Sequence, residues 1–297
     1  PVYSRIDAYD MVAASVDEAV RRIVAVGGKL DEIGGVDNFC WPNIQFDPLS
    51  NPDGRYKAAQ LVRANWALRD MCLKYGIPLL SGKDSMYVDG HLSGTFGERH
   101  KVSGLPTMQF TATGIVPDTR KSQTMELKTA GDLLYIVGTT RNELGGSAYY
   151  DLFGYIGLNV PKTRPEKFYE PYAAIEEAIA SGLVASCHGI YRGGLGVHAA
   201  MMAIAGRLGM ILDLAKVPVE NGRTLRNDQL LFSESCGRFL VAVSPENRTR
   251  FEELFKDMPC ARAGEVTDNP VLHIIGQSGE ELLRENIGAL RKSWAGR

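Results

Sequence analysis

The stretch Ile77-Pro78-Leu79-Leu80-Ser81-Gly82-Lys83-Asp84-Ser85-Met86-Tyr87 carries the strongest signal for both fold and function in this sequence. Its apolar beginning predicts a buried strand over Ile77–Leu80, which delivers the residues Ser81–Ser85 into a loop. A glycine at a strand end lets backbone N–H groups approach an anion, and Lys83 and Ser85 add a positive charge and a hydroxyl donor. The loop therefore suits a phosphate group.

This loop differs from a Walker A phosphate loop, which has four residues between its glycines and a Ser or Thr after its lysine. Here five residues separate Gly76 from Gly82, and Asp84 follows Lys83. A tight turn with a solvated lysine explains the local chemistry equally well. Gly82, Lys83 and Asp84 therefore stay candidates for phosphate contacts.

Two helices are predicted on the N-terminal side of this stretch. Apolar residues at helical spacing predict one helix from Tyr56 to Tyr75, and Gly76 ends it. The same spacing predicts an earlier helix from Asp10 to about Val26, which Gly27-Gly28 ends. Both are amphipathic, so each is expected to cover a sheet with its apolar side.

A strand and a polar segment are predicted on the C-terminal side. Alternating β-branched and aromatic residues predict a strand over Pro106–Val116, and the polar segment 117–130 then predicts a domain boundary. It separates an α+β domain, residues 1–124, from an α/β domain, residues 125–297. The second domain is predicted to contain strands at Asp132–Val137, Phe239–Val243 and Val271–Ile275, and helices at Glu170–Ser181, Gly194–Leu208 and Glu280–Trp294.

Composition excludes several classes of protein. The 297 residues are 44% hydrophobic and 23% charged, with a net charge of −2, which argues against a nucleic-acid partner. No apolar run approaches the roughly 18 residues of a membrane-spanning helix. The five scattered cysteines form no C-x-x-C pair, which favours a reducing, cytoplasmic setting. A start at Pro-Val rather than Met suggests a piece of a longer protein.

Two further segments carry groups suited to a nucleotide. Asp37, within Gly35–Asn43, could hold a magnesium ion or a nucleotide hydroxyl, although a plain turn is the favoured interpretation from local chemistry. Gly145, Gly146 and Ser147 follow a predicted strand and could form an anion nest. Pairs of glycines are also common in loops that bind nothing, so this signal is weak when taken alone.

Two other features have plain explanations. Cys187 and His188 are sequence neighbours and would point to opposite faces of an extended segment, so they are poorly placed as nucleophile and base. Glu18 lies on the first helix within one turn of Arg22, which indicates a surface ion pair worth well under about 1 kcal/mol.

Six segments, read in order, resemble the second half of formylglycinamidine ribonucleotide synthase. The ordered set is far more specific than any one member, and it runs almost from end to end of the chain. The segments are Asp17–Ala19, Gly35–Asn38, Ser81–Tyr87, Leu144–Tyr150, Gly193–Leu195 and Leu231–Phe239.

The resemblance implies an aminoimidazole ribonucleotide synthetase-like two-domain fold, in which a barrel-forming N-terminal domain precedes an α/β domain. It implies an ATP- and Mg²⁺-dependent ligase of purine biosynthesis, which joins ammonia to formylglycinamide ribonucleotide. The implied partners are the N-terminal half of the same synthase, a glutaminase subunit or domain and a small bridging subunit. An isolated half would expose apolar strand surface, so we expect it to pair with itself as a homodimer.

The resemblance also assigns roles to individual residues. Asp37, Gly82 and Lys83 match positions around the nucleotide, and Ser85 matches a position that touches the substrate. Glu18 matches a magnesium ligand of an auxiliary nucleotide site.

Three positions depart from the family pattern. Arg22 stands in place of an Asn ligand, and Gly189 and Arg192 stand where the family has the two acids of its His-Asp-x-Ser-Asp-Gly-Gly segment. Losing carboxylates and gaining arginines removes the oxygen ligands that magnesium requires. We therefore predict that the auxiliary metal site is degenerate.

No catalytic residue is predicted in this half. The family's catalytic histidine lies in a Thr-His-Asn-His segment that this sequence lacks, so the chain should be inactive alone. A non-catalytic scaffold that docks the other half and the glutaminase is the alternative function. Selenophosphate synthetases and hydrogenase-maturation relatives fit poorly, because their characteristic terminal cysteines are absent from this sequence.

Overall fold

The computed structural model describes residues 2–296, which form a small open sheet, a larger sheet and a hairpin, with helices packed between and around them. The strands are β1 (Ile33–Cys40), β2 (Leu79–Ser85), β3 (Asp89–Ser93), β4 (Arg99–Ser103), β5 (Thr107–Gly114), β6 (Leu133–Val137), β7 (Ser186–Gly189), β8 (Gly209–Asp213), β9 (Phe239–Val243), β10 (Cys260–Thr267), β11 (Val271–Ile275) and β12 (Glu281–Asn286). The α-helices are α1 (Ala8–Ala25), α2 (Gly54–Tyr75), α3 (Ala148–Leu152), α4 (Pro165–Ala180), α5 (Gly194–Gly206), α6 (Asn227–Phe232), α7 (Arg248–Leu254) and α8 (Ile287–Trp294).

The two predicted N-terminal helices are confirmed, with local chemistry at their ends. The side chain of Asp7 caps α1 by accepting hydrogen bonds from the backbone N–H groups of Tyr9 and Asp10, at 2.8 and 3.1 Å. Helix α2 ends at Gly76, whose φ of 70° is left-handed and therefore favours glycine. Both helices pack against each other, and α1 also packs on β5.

The first sheet has the strand order β2-β1-β5 and is covered on one face only. Strand β1 pairs in parallel with β2 and antiparallel with β5, and its residues alternate between buried and half-buried. Ile33 and Phe39 point into the core formed with the two helices. Only three strands of residues 2–296 belong to this sheet, so a closed barrel would require strands from another chain.

The prediction of a buried strand followed by a phosphate loop at residues 77–87 is wrong. The strand covers Leu79–Ser85, so Ser81 to Ser85 belong to it, and Leu80 is 61% exposed. Strand β2 lies at an edge of the sheet and pairs with β1 alone, so one side of its backbone is hydrogen-bonded while its side chains stay largely exposed. A run of apolar residues indicates only that a segment is apolar. The position of strand β2 is set instead by its pairing with β1, which is distant in the sequence.

The second sheet contains seven strands in the order β12-β11-β8-β10-β6-β9-β7. Every residue of the central strands β6 and β9 is buried, because helices cover both faces. Tyr135 packs toward the core shared with α1 and α4, and its neighbours Leu134 and Ile136 pack toward α5. The α+β and α/β fold class predicted from the sequence is confirmed.

The predicted helix Glu280–Trp294 is wrong in its first half. Residues Glu281–Asn286 form β12, which pairs antiparallel with β11 across a turn that contains Gly279 at a φ of 84°. Only Ile287–Trp294 is helical, and Asn286 caps it by accepting a hydrogen bond from the N–H of Gly288 at 2.8 Å. A glycine turn after β11 therefore overrides the helical spacing of the apolar residues.

The domain boundary after residue 124 stays a prediction. The two sheets lie on either side of it in sequence, but α1 packs against α4 and β7, so both parts contribute to one core. Within residues 2–296, no helix is both long enough and apolar enough to cross a membrane.

Candidate functional site

Asp37 and Gly82 meet across the parallel pair β1 and β2. They are register partners, and Asp37 is only 8% exposed. A Cβ atom on residue 82 would lie 2.8 Å from Oδ1 of Asp37, so any other residue there would force this carboxylate to shift. Burial raises the pKa of Asp37, and the negative charge of Asp84 adds to the rise. The turn favoured for Asp37 is wrong, because the residue lies in a strand that distant partners define.

Lys83 and Ser85 lie on the opposite face of the sheet from Asp37. Side chains alternate along a strand, and Gly82 faces Asp37, so Lys83 and Ser85 face the open side. The Lys83 Nζ donates a hydrogen bond to the Ser85 Oγ at 2.5 Å. The sequence-predicted residues therefore separate onto two faces of the sheet, with the buried Asp37 and the exposed Gly82 on one and the exposed Lys83 and half-buried Ser85 on the other.

Asn38 is a further candidate residue, which the sequence did not single out. It pairs in register with Lys83 on one side and with Gln109 on the other, which gives a polar row across the three strands. Its Oδ1 is buried and has no hydrogen-bond partner among residues 2–296. A cation, a hydroxyl and two amides on one open face can together bind an anionic or polyhydroxylated ligand.

The backbone donors of the Gly-Gly-Ser loop are engaged within the protein. The N–H groups of Gly145 and Gly146 donate to the carbonyl oxygens of Asn159 and Ile156, at 2.9 and 2.7 Å. The Oγ of Ser147 accepts a hydrogen bond from the N–H of Tyr150, at 3.2 Å, and so caps α3. A phosphate at this loop would have to displace these bonds.

An internal carboxylate occupies the neighbouring donors. Glu234 Oε1 accepts hydrogen bonds from the N–H groups of Ala148 and Gly193, both at 2.8 Å, and Tyr3 donates its hydroxyl hydrogen to Oε2. Glu234 is 3% exposed, so these hydrogen-bond donors stabilise its negative charge in place of water. Sequence reasoning flagged the segment around Glu234 but assigned it no role, since its partners are distant in the chain.

Arg238 fixes the segment that carries Glu234. It is fully buried, and its guanidinium donates to the carbonyl oxygens of Ser235 and Ser233, at 2.9 and 2.5 Å, and to the Thr140 hydroxyl at 2.9 Å. Burial lowers the pKa of Arg238 to about 10, so it stays protonated at neutral pH. The hydrogen bond to Thr140 fixes this segment beside the residues that follow β6.

The surroundings of Glu18 contain cations where metal ligands were expected. Its carboxylate accepts hydrogen bonds from Arg22, at 2.6 and 3.0 Å, and the Arg22 guanidinium lies 4.6 Å from the centre of the Tyr191 ring. A side chain on Gly189 would overlap the Tyr191 hydroxyl, and Arg192 donates to the Gly146 carbonyl oxygen at 3.3 Å. Residues 2–296 contain no group of three acids, histidines or cysteines arranged to hold a metal ion.

Asp17 has a different environment from its neighbour Glu18. It is fully buried and accepts hydrogen bonds from the hydroxyls of Tyr75 and Tyr172, at 2.7 and 2.6 Å, and from Arg21 at 2.8 Å. Arg21 also donates to the Ile190 carbonyl oxygen at 2.6 Å. This network joins α1, α2 and α4 to the segment after β7.

Two histidines lie beside this network. Nε2 of His188 and Nδ1 of His198 are 3.0 Å apart, and His198 also contacts the Arg192 carbonyl oxygen. Burial lowers the pKa of His188 to about 4 and that of His198 to about 3, so both are neutral at pH 7. Burial raises the pKa of Cys187 to about 12, which leaves it a thiol and supports the rejection of a Cys-His pair.

Comparison with known proteins identifies the family of this chain. The family described as AIR synthase related protein, C-terminal domain, matches residues 129–277, which is half of the chain. Phosphoribosylformylglycinamidine synthase subunit PurL of Thermococcus sibiricus is 30% identical over 283 residues, covering 95% of this chain and 35% of the relative. The PurL subunit of Alkaliphilus metalliredigens is 31% identical over 297 residues, covering 99% of this chain and 36% of the relative.

The chain therefore spans about a third of the length of these curated relatives. The solved structure of T. maritima PurL complexed with FGAR superposes with a TM-score of 0.73 at 19% identity, covering 97% of this chain and 44% of that chain. That likeness supports the fold, and the curated relatives confirm the resemblance to formylglycinamidine ribonucleotide synthase. By sequence and by fold, the chain belongs to the AIR synthase related family.

Proposed function

We propose that the chain is one part of an ATP-dependent amidoligase that converts formylglycinamide ribonucleotide and glutamine-derived ammonia to formylglycinamidine ribonucleotide. The curated relatives carry the name of that synthase, and the solved neighbours include PurL structures complexed with FGAR, ATP, ADP or AMPPCP. Those ligands belong to the relatives, and their transfer to this chain is part of the proposal. A cytoplasmic location follows from the same proposal.

The observation that carries the proposal is that the candidate residues of β2 lie on both faces of the strand. Lys83 and Ser85 lie on the solvent-open face beside Asn38, while Gly82 leaves space for the buried carboxylate of Asp37 behind them. We assign Asp37, Gly82 and Lys83 to the nucleotide and Ser85 to the substrate. The lysine charge would stabilise phosphate oxygens, and the serine hydroxyl would orient the substrate.

The residues fit a nucleotide better than they fit an auxiliary magnesium ion. The open polar row offers donors and acceptors for a nucleotide, whereas Glu18 is already paired with Arg22. ATP would activate the amide oxygen of the substrate when it is bound. We derive no step through a metal ion at Glu18 and assign no catalytic residue to this chain.

The proposed partners follow from the unpaired edges of the first sheet, at β2 and β5. We assign these edges to the N-terminal half of the synthase, whose strands would complete a barrel, and we expect homodimers when that half is absent. The glutaminase and a small bridging subunit would complete the assembly. Sedimentation of the isolated chain as a monomer at tens of micromolar would contradict the homodimer.

Reconstitution tests the proposed function. The chain is mixed with a separately produced N-terminal half of a family member, and product formation from ammonia, ATP and substrate is measured. We expect Lys83→Ala and Ser85→Ala each to lower the rate more than about tenfold, which is about 1.4 kcal/mol of barrier. Lys216→Ala is the matched control, because Lys216 is exposed and remote in sequence from β2.

The scaffold alternative has its own support. The loop donors at Gly145 and Gly146 are engaged internally, and Glu18 is paired with Arg22, as expected of a half kept for docking rather than for binding. Full activity of both β2 variants in the reconstituted enzyme would favour the scaffold. Loss of assembly in those variants, measured by sedimentation, would show that the lost rate reflects docking.

A further inference from the structure

A polar cavity lies in the α/β part, away from β2. It has a volume of about 380 Å³ and lies between the segment after β6 and the segment that leads into α6. Small-molecule sites commonly occupy roughly 300–1,000 Å³. Its wall includes Arg141, Asn142, Glu220, Arg223, Thr224 and Arg226.

Arg141 is the fixed element of this wall. It is 8% exposed, and its backbone N–H donates to the Ser235 hydroxyl at 3.1 Å. Its Nε donates to Glu220 Oε1 at 3.0 Å, and its guanidinium lies 5.9 Å from the centre of the Phe168 ring. Its Nη1 donates to the Thr139 carbonyl oxygen at 3.5 Å, which leaves Nη2 without a hydrogen bond to a described residue. A buried guanidinium held in this way is preorganised for an anion.

Glu220 is already neutralised and does not cancel the positive charge of the wall. Arg141 and Arg164 donate to the same Glu220 oxygen, at 3.0 and 2.5 Å, and the Lys167 ammonium lies 3.9 Å from it. The hydrogen bond from Arg141 lowers the pKa of Glu220, and the charge of Arg164 adds to the effect. One carboxylate thus faces three cations.

The other two arginines differ in their pairing. Arg226 forms a two-pronged pair with Asp228, at 2.8 and 3.0 Å. The Arg223 side chain forms no ion pair or hydrogen bond with another described residue, and it is exposed at the cavity mouth. Of the three arginines that line this cavity, Arg141 and Arg226 are therefore paired with acids and Arg223 is not.

Nearby acids face a different cavity. Glu166 and Glu170 line a cavity of about 390 Å³ on the other side of the pair formed by Arg141 and Glu220. Glu166 is itself paired with Lys74 at 3.3 Å. The unmatched positive charge is consequently on the α6 side, where three arginines and one glutamate line the wall.

We propose that this cavity binds the phosphate group of a small phosphorylated molecule. Guanidinium groups bind phosphate oxygens through two parallel hydrogen bonds, and Arg223 is free to do so. The amide of Asn142 and the hydroxyl of Thr224 add neutral donors on the same wall. The cavity exceeds what a bare phosphate requires, so an attached group such as a sugar would also lie inside it.

This inference goes beyond the proposed function and does not depend on it. The cavity lies on the second sheet's side of the chain, and its residues are separate from Asp37, Lys83 and Ser85. Binding can be measured on the 297-residue chain without any assay of ligase activity. Failure of the reconstitution experiment would therefore leave this inference intact.

Isothermal titration tests it with two probes, inorganic phosphate and ribose 5-phosphate, each against chloride at matched ionic strength. We expect saturable binding of ribose 5-phosphate, and Arg223→Gln and Arg226→Gln should each weaken it at least fivefold. Both arginines are exposed, so the variants should keep the fold, which thermal unfolding checks. Arg250→Gln is the matched control, an exposed arginine on α7.

The outcomes separate the sources of the phosphate. Tighter binding of ribose 5-phosphate than of inorganic phosphate supports a phosphorylated molecule as the ligand. Equal binding of both probes would overturn the proposal that the ligand carries an attached group, and the site would then recognise phosphate alone. Absence of saturable binding, or equal weakening by Arg250→Gln, would overturn the site itself.

Discussion

The buried histidine pair predicts a loss of stability in mild acid. His188 and His198 are neutral in the folded chain, with pKa values lowered to about 4 and about 3, mainly by burial. In the unfolded chain each has an ordinary pKa of about 6.5. Between these limits the unfolded chain binds more protons, so stability falls as the pH falls from about 6.5 toward 4.

The magnitude follows from proton linkage. Lowering the pH from 7 to 5 protonates an unfolded histidine but not either folded one, which costs about 2 kcal/mol per histidine. Because the two rings share a hydrogen bond, their titrations are coupled, and the total should lie between about 2 and 4 kcal/mol. Burial raises the pKa values of Asp10 and Glu143, and these shifts make stability rise, rather than fall, as the pH is lowered. Those groups are common to all variants and cancel in the difference between them.

Urea unfolding at pH 7 and pH 5 measures this effect. The double variant His188→Gln and His198→Gln should lose about 2–4 kcal/mol less than the unmodified chain over this interval, whatever its stability at pH 7. His91→Gln is the control, because His91 is exposed on β3 and should leave the pH dependence unchanged. Parallel pH profiles for the unmodified chain and the double variant would refute the reasoning.

Two further predictions concern adjacent or facing residues. Asp17→Ala should cost about 3–5 kcal/mol in urea unfolding, because it leaves Arg21 buried without its carboxylate, whereas Glu18→Ala on the same helix should cost less than about 1 kcal/mol. Equal losses would contradict the assignment of one pair to the core and the other to the surface. Gly82→Ala should cost about 1–3 kcal/mol by displacing the Asp37 carboxylate, and an unchanged free energy of unfolding would show that this contact is loose.

Local signals predicted the elements whose ends and periodicity are encoded nearby. Helix α2 was predicted to end at Gly76, and the left-handed conformation of that glycine explains the success. Strands β6 and β9 were predicted because helices bury them on both faces, which requires an unbroken apolar run. In each case the evidence lies within the element itself.

Edge strands escaped the same reasoning. Strand β2 was predicted partly as a loop and β12 as part of a helix, and each lies at the edge of its sheet. A strand with one paired edge and exposed side chains needs no apolar alternation, so its sequence is compatible with other conformations. What specifies β2 is its pairing with β1, and what specifies β12 is the turn at Gly279.

The candidate site was predictable in its residue types but not in its geometry. Asp37, Gly82 and Lys83 were identified from the sequence and the resemblance, but their separation onto two faces depends on the register of β1 with β2. Glu234 had no predicted role, because its donors at Ala148 and Gly193 lie on the N-terminal turns of two different helices. Pairings over such separations leave no local pattern.

Two internal carboxylates of the α/β part, Glu234 and Glu220, differ in whether the groups around them can bind an additional anion. Glu234 is buried, and its donors at Ala148, Gly193 and Tyr3 match it, so a competing phosphate would have to displace a satisfied group. Glu220 is matched as well, but the cations around it outnumber the acids, and Arg223 is left without a partner among the described residues. An added anion would therefore gain new charge-assisted hydrogen bonds only beside Glu220.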